Sequence, residues 1–417
     1  MTTNKKRIDS NRRKILLGSA VGIAGIAGFP GSAGGQESCD ILVDESGSGD
    51  ATTVQGGVDM ASAGETVCIA DGTYKEHVHI NKNLTLTNAR NASPTIEIPS
   101  DPPDYNIPES GNTWEVVLFI GPETGTSSVE VDVSGITIDG LDQRPNARVA
   151  AGMLLRNVDG SIEDMIVENM AIGGKQTGGI AVYGDSNVDV HDNTVDGYER
   201  FGIVANGDGG EHPSPTVDVK WNDVTGSGDG SQTAWGPNGI QIGFGGQGNI
   251  KDNTVDRNRY SPSSQVGSGI IVFESDEVTV SKNTITRSDA ALSCGTWAWF
   301  RQTATDNVFT QNDVDEAIVG VHLESIAYPG FSIDDPTLNN TKIVNNELTQ
   351  GGTGEDPDND SIGVELLTYD GFDESDDPDY DPIMDNTKII NNEIEDFATD
   401  VDDDGTDTKQ QANAFEP

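Results

Sequence analysis

The chain has 417 residues and carries 70 Asp plus Glu against 24 Lys plus Arg, a formal net charge of −46. A surface of that sign repels the nucleic-acid backbone and anionic membranes, so neither is an expected partner. With 34% hydrophobic residues, 6% aromatics and 50 glycines, the composition argues against one broad spherical core and suits a narrow core wrapped by many short turns.

Residues 1–35 read as an export signal. Lys5, Lys6, Arg7, Arg12, Arg13 and Lys14 precede a Gly- and Ala-rich apolar run from Ile15 to Phe29. The run is too short and too weak to span a bilayer comfortably. The stretch Asn11-Arg12-Arg13-Lys14-Ile15-Leu16-Leu17 resembles a twin-arginine signal. It implies an exported mature chain, extracellular or at the cell surface, beginning near Gln36 and without a membrane span. The acidic balance is similar to that of halophile proteins, where surface carboxylates hold water.

Residues 36–128 come next. The apolar run Ile41-Leu42-Val43 precedes Thr53–Ala61, whose apolar residues recur at helical spacing. Thr66–Ile69 and the alternating stretches around Val78–Ile80 and Leu84–Leu86 follow as strands. This order resembles the N-terminal module of pectin-lyase-like proteins, and implies a right-handed parallel β-helix closed at one end by an amphipathic capping helix. Such a cap covers an otherwise exposed core and sheet edge. Cys39 and Cys68 fall in runs expected in the same coil, so a bridge between them is open; Cys294 is left over as a small buried hydrophobe.

From 129 to 399 a repeat takes over. An alternating strand ends in Asn at 169, 193, 222, 253, 283, 312, 346 and 392, at intervals of 24, 29, 31, 30, 29, 34 and 46 residues. A solenoid absorbs such drift in loops. Asn is expected there because it tolerates a left-handed corner and its amides stack as a ladder. The other half-repeat opens with Gly152, Gly179, Gly202, Gly239, Gly269, Gly295, Gly320 and Gly363, each followed by alternating residues. The first and third after Gly should face inward and the second and fourth outward. Residues 400–417 read as a frayed acidic tail.

The outward positions yield two vertical strips. One runs Gln241, Ile271, Trp297, His322, Glu365; the other runs Gly243, Phe273, Trp299, Glu324, Leu367, with Glu274 and Arg301 just beyond. Aromatic faces beside carboxylates are what sugar CH surfaces and hydroxyls require. Trp297, Trp299, Phe273, Arg301 and Glu274 are therefore the substrate-binding candidates, and Glu324, Glu365 and His322 the catalytic ones. By coil rise, Glu324 and Glu365 should stand roughly 8 Å apart, inside the ~6.5–9.5 Å of inverting glycosidases. Loops after Glu324 and Leu367 that folded over the tryptophans would instead make a satellite core. No catalytic set of the resembled proteins transfers: the polygalacturonase Asn-Thr-Asp, Gly-His-Gly and Arg-Ile-Lys motifs are absent, and Asp334-Asp335 lies in a loop. Asp400-Val401-Asp402-Asp403-Asp404-Gly405 matches half of a calcium loop, but Gln411 stands where the closing Glu belongs. The expected function is recognition of an extracellular polysaccharide or cell-surface glycan, with or without cleavage by a hydrolase or lyase step; the alternative is a non-catalytic surface or adhesion module.

Overall fold

The computed structural model describes residues 39–142, 149–170, 176–228, 236–260, 267–327, 332, 335–351, 360–369 and 381–416. The signal-like segment lies outside them. Three long sheets of 13, 12 and 12 strands run the length of the described solenoid, with a 3-stranded sheet beside them. The chain visits the three in turn, and each strand pairs with its counterpart one coil on. Apart from the hairpin of Asp104–Ile107 on Asn112–Ile120, every described strand pairing is parallel. This is a right-handed parallel β-helix. Its interior is a stack of Val, Ile and Leu with almost no exposure, such as Val219, Ile250, Val280, Phe309 and Ile343.

The expected cap is present. Thr53 caps the helix Val54–Met60 by accepting from Gly56 N at 3.1 Å, and Val54, Gly57 and Val58 are buried. Glu76 accepts from the Val54 and Gln55 amides at 2.7 and 2.9 Å, satisfying donors that a helix start leaves free. Gly57 lets the helix sit close: a Cβ there would meet Val43 at 2.4 Å. Cys39 and Cys68 form a disulfide, with Cα atoms 5.5 Å apart. Cys294 is free and buried.

The Asn column has a different first member from that expected, and of the two expected causes the amide ladder holds while the left-handed corner does not. Asn193, Asn222, Asn253, Asn283, Asn312, Asn346 and Asn392 are all nearly or fully buried. Each Nδ2 donates to the next Oδ1 at 2.9–3.0 Å from Asn193 to Asn392, and at 3.2 Å to Asn413. Each backbone N–H donates to that same Oδ1, as Asn253 N does to Asn283 Oδ1 at 3.0 Å. The left-handed backbone belongs to the preceding residue: Asp192, Trp221, Asp252, Lys282, Gln311, Asn345 and Asn391 have φ between 55° and 59°. Asn is therefore selected by hydrogen bonding rather than by φ. Asn169 is not a rung; it sits at φ 59° and donates to Asp139. Met165 holds the rung position, its N–H donating to Asn193 Oδ1 at 3.0 Å.

The Gly column is also offset in one coil. Gly202 and Gly239 abut β-branched residues of the second sheet: a Cβ would meet Val224 and Val255 at 2.4 Å. Because Ile270 pairs with Leu292, the residue opposite Gly269 is Ala291, not Gly295. Gly295 pairs with Phe273 and Glu324. At the C-terminal end, the expected frayed tail is another coil, Thr399–Asp403, Lys409–Gln411 and Ala414–Glu416, paired in register though mostly exposed. A calcium loop must curl its carboxylates onto one centre, whereas the strand Thr399–Asp403 sends successive side chains to opposite faces.

Candidate functional site

The outer face of the third sheet carries the site. One register row reads Leu154, Ala181, Val204, Gln241, Ile271, Ser293, His322 and Glu365; the row two residues on reads Asn206, Gly243, Phe273, Gly295, Glu324 and Leu367. The offset at Ala291 thus places Ser293 and Gly295 on the strips where Trp297 and Trp299 were expected. Both tryptophans follow the strand Ala290–Thr296 instead, in a loop.

That loop returns them to the same face. Glu274, with no exposure, accepts from the backbone N–H groups of Trp299, Phe300 and Arg301 at 2.7, 3.0 and 3.0 Å. Burial raises the Glu274 carboxyl above its ordinary range, partly offset by these donors. Glu274 is therefore a loop anchor with no surface to offer a ligand. Arg301 ties down the far end through an ion pair with Asp276. Trp297 and Trp299 lie edge to face at 4.9 Å, and Phe273 meets Trp297 at 5.5 Å. Phe244 extends the wall, 5.4 Å from Phe273 and 5.3 Å from Phe300. Phe300 is 53% exposed. It also reaches Gly209, where a Cβ would meet its own Cβ at 2.5 Å.

Together these residues line a groove of about 780 Å³ running from Glu109, Trp114 and Tyr183 to His322, Glu324 and Leu367. Trp297, Trp299 and Phe273 line it; Arg301 and Glu274 do not. Phe244, Phe300, Gln241 and Arg200 also line it, and of these only Gln241 was placed on a strip from sequence. Phe244 and Phe300 sit beyond strand ends, where alternation carries no signal, and Arg200 precedes the strand Phe201–Asn206, where a charged residue reads as a solvated turn.

At the C-terminal end the three catalytic candidates do meet. His322 pairs in register with Glu365. Its Nδ1 lies 2.5 Å from Glu365 Oε2 and its Nε2 lies 3.3 Å from Glu324 Oε2. Burial would lower the imidazole pKa, but the hydrogen bonds and charges of the two carboxylates outweigh it and push His322 up to about 10. The imidazolium in turn holds Glu365 below the usual carboxylate range. With both ring nitrogens donating, His322 is a charged bridge at neutral pH rather than a free base. Glu365 is an acceptor rather than an acid. Glu324, 14% exposed and on the longer bond, is the one of the two carboxylates that lines the groove and that a ligand could recruit.

On the rim, Asp208, Glu211 and His212 each bring one ligand atom within 4.8 Å of the others, a set with the composition to hold a cation. Among the described residues no helix is long and apolar enough to cross a membrane.

A family profile described as "Right handed beta helix region" matches residues 178–369. No curated protein sequence matches the chain. Among solved structures, a Yersinia enterocolitica family 28 exopolygalacturonase is similar with TM-score 0.56 and 12% identity, over 87% of this chain and 73% of that one. An Azotobacter vinelandii mannuronan C-5 epimerase A-module is similar with TM-score 0.45 and 14% identity, over 85% and 94%. An Acinetobacter phage tailspike is similar with TM-score 0.41 and 11% identity, over 84% and 56%. At these identities the likeness is one of fold.

Proposed function

We propose that the protein is an exported polysaccharide-binding β-helix, whose ligand lies along the outer face of the third sheet between the aromatic wall and the His322 cluster. The observation that carries this reading is the groove itself: Phe244, Phe273, Trp297, Trp299 and Phe300 present ring surface beside Gln241, Asn206, Asn238 and the Glu324 carboxylate. Flat apolar faces with interleaved amides and carboxylates suit a chain of sugars better than a globular partner. Export is supported by the signal-like N-terminus and by the Cys39–Cys68 disulfide, a bond typical of oxidising compartments. Polysaccharide-acting enzymes share the fold, which is analogy only.

Cleavage is the catalytic form of the same reading. Its support is that three ionisable groups converge at one end of the groove; against it stands the charged state of His322, which supplies neither a base near neutral pH nor an easily released proton. A ligand hydroxyl that displaced His322 from Glu324 would free one carboxylate to act. The test is a polysaccharide panel followed by tryptophan fluorescence, with assays for new reducing ends and for unsaturated ends. Saturable quenching lost in Trp299→Ala supports binding. Product formation lost in Glu324→Gln supports hydrolase or lyase action. A groove that takes no glycan leaves the adhesion or spacer alternative.

A further inference from the structure

The charged residues along the groove are paired, with one exception. Glu109 is held by Arg156 at 2.8 Å, Asp208 by His212 at 2.5 Å, and Glu324 by His322 at 3.3 Å. Arg200 lines the same groove yet pairs with no carboxylate among the described residues. Its Nη1 donates to the Gly236 carbonyl. Its Nε and Nη2 donors have no protein acceptor there. Arg200 is half-buried, and burial lowers its pKa to about 10 with no carboxylate beside it to offset the shift. In a chain with 70 acidic and 24 basic residues, leaving this arginine unmatched is unusual, because a desolvated charge is costly unless something pairs with it.

We infer that Arg200 forms a subsite for an anionic substituent of the bound glycan, a carboxylate or a sulfate ester, taken by the free edge of its guanidinium. This rests on the groove being a glycan site and adds the ligand's charge and its location. The planar fork of an arginine matches a two-oxygen anion through two parallel hydrogen bonds. The acidic surface opposes such a ligand at long range, but that repulsion is screened within about 3 Å at 1 M salt, whereas a contact inside the groove is screened much less. Register sets the spacing. Phe201, next to Arg200, aligns with Asn238, Ser268, Ala290 and Val319 in turn. His322 thus lies four coils away, roughly 19 Å along the axis at ~4.8 Å per coil. The anion and the His322 cluster therefore contact different sugars of one chain.

The test measures affinity by calorimetry in about 1 M salt, using oligogalacturonate, alginate and dextran sulfate oligomers, the carboxyl-reduced forms of the first two, and plain dextran. Wild type should prefer the charged oligomers. Arg200→Gln should weaken them about 10- to 100-fold, the worth of a lost charge-assisted pair, and weaken the reduced and plain oligomers far less. Arg200→Lys, keeping the charge without the fork, should fall between. A melting curve on each variant verifies folding, and Arg200→Lys carries the test if Arg200→Gln does not fold. Equal binding of charged and uncharged oligomers by wild type, or equal weakening of both by Arg200→Gln, overturns the inference while leaving the groove reading intact. Binding of no glycan at all overturns the groove reading, and this inference with it.

Discussion

Replacing Asn283 by alanine tests the physical account of the solenoid. Asn283 is fully buried. Its Oδ1 accepts from Asn253 N at 3.0 Å and Asn253 Nδ2 at 2.9 Å, and its Nδ2 donates to Ile250 O at 3.1 Å and Asn312 Oδ1 at 3.0 Å. The substitution strands the Asn253 backbone N–H and one of its two Nδ2 protons, the other keeping the Val219 carbonyl. At about 1–3 kcal/mol for each buried unsatisfied group, the loss is roughly 2–6 kcal/mol. Asn169→Ala removes a partly buried bond to Asp139 and puts Ala at a left-handed φ of 59°, which together should cost about 1–2 kcal/mol. The two are compared by denaturant titration and by hydrogen exchange resolved along the chain. Exchange should rise in the coils around Asn253 and Asn283 and fade with distance, since coils contact only their neighbours. Equal destabilisation by the two variants, or a cost for Asn283→Ala below about 1 kcal/mol, the worth of one ordinary hydrogen bond, would refute the ladder as the source of stability.

Three further outcomes are expected. Glu274→Ala strands the Trp299, Phe300 and Arg301 amides and should release the aromatic loop, seen as altered near-ultraviolet dichroism and faster proteolysis near residue 300, with weakened glycan binding and little change in the global transition. Removing the disulfide with Cys39→Ser, across a sequence separation of 29, should cost about 3–4 kcal/mol by loop-closure entropy, measured against the wild type under reducing and oxidising conditions. His322 is raised from 6.5 to about 10, so its contribution is fully present below pH 6.5 and lost as pH rises through about 10. Wild type should therefore lose more stability than His322→Gln between those limits, and parallel titrations of the two would contradict the bridged imidazolium.

The solenoid was legible because its signal is repeated: an alternating strand, a corner and a Gly recur too often to be accidental, and the cap helix announces itself by apolar spacing. Single coils were less legible. Asn169 fits the pattern in letters, yet the true rung at 165 is Met, which can donate from its backbone but shows no amide in sequence. Gly295 likewise captured the alignment because Ala291 is small enough to fill the close-approach position. That slip of four residues put Trp297 and Trp299 on a strand they do not occupy. His322, Glu324 and Glu365 came together as expected because their coils keep the register. Arg200, Phe244 and Phe300 act from outside the strands, where no period applies, and the role of Glu274 as an anchor required knowing which backbone amides surround it.

The contact between Phe300 and Gly209 has a consequence for how the solenoid comes apart. Stacked coils ordinarily unzip one at a time, since each shares surface only with the coils on either side. Phe300 follows the strand Ala290–Thr296 and touches a turn that follows Phe201–Asn206, three coils earlier. Opening either end of that span breaks a contact belonging to the other. The groove thus carries one tie that reaches past nearest-neighbour coils, across the span that holds its aromatic wall.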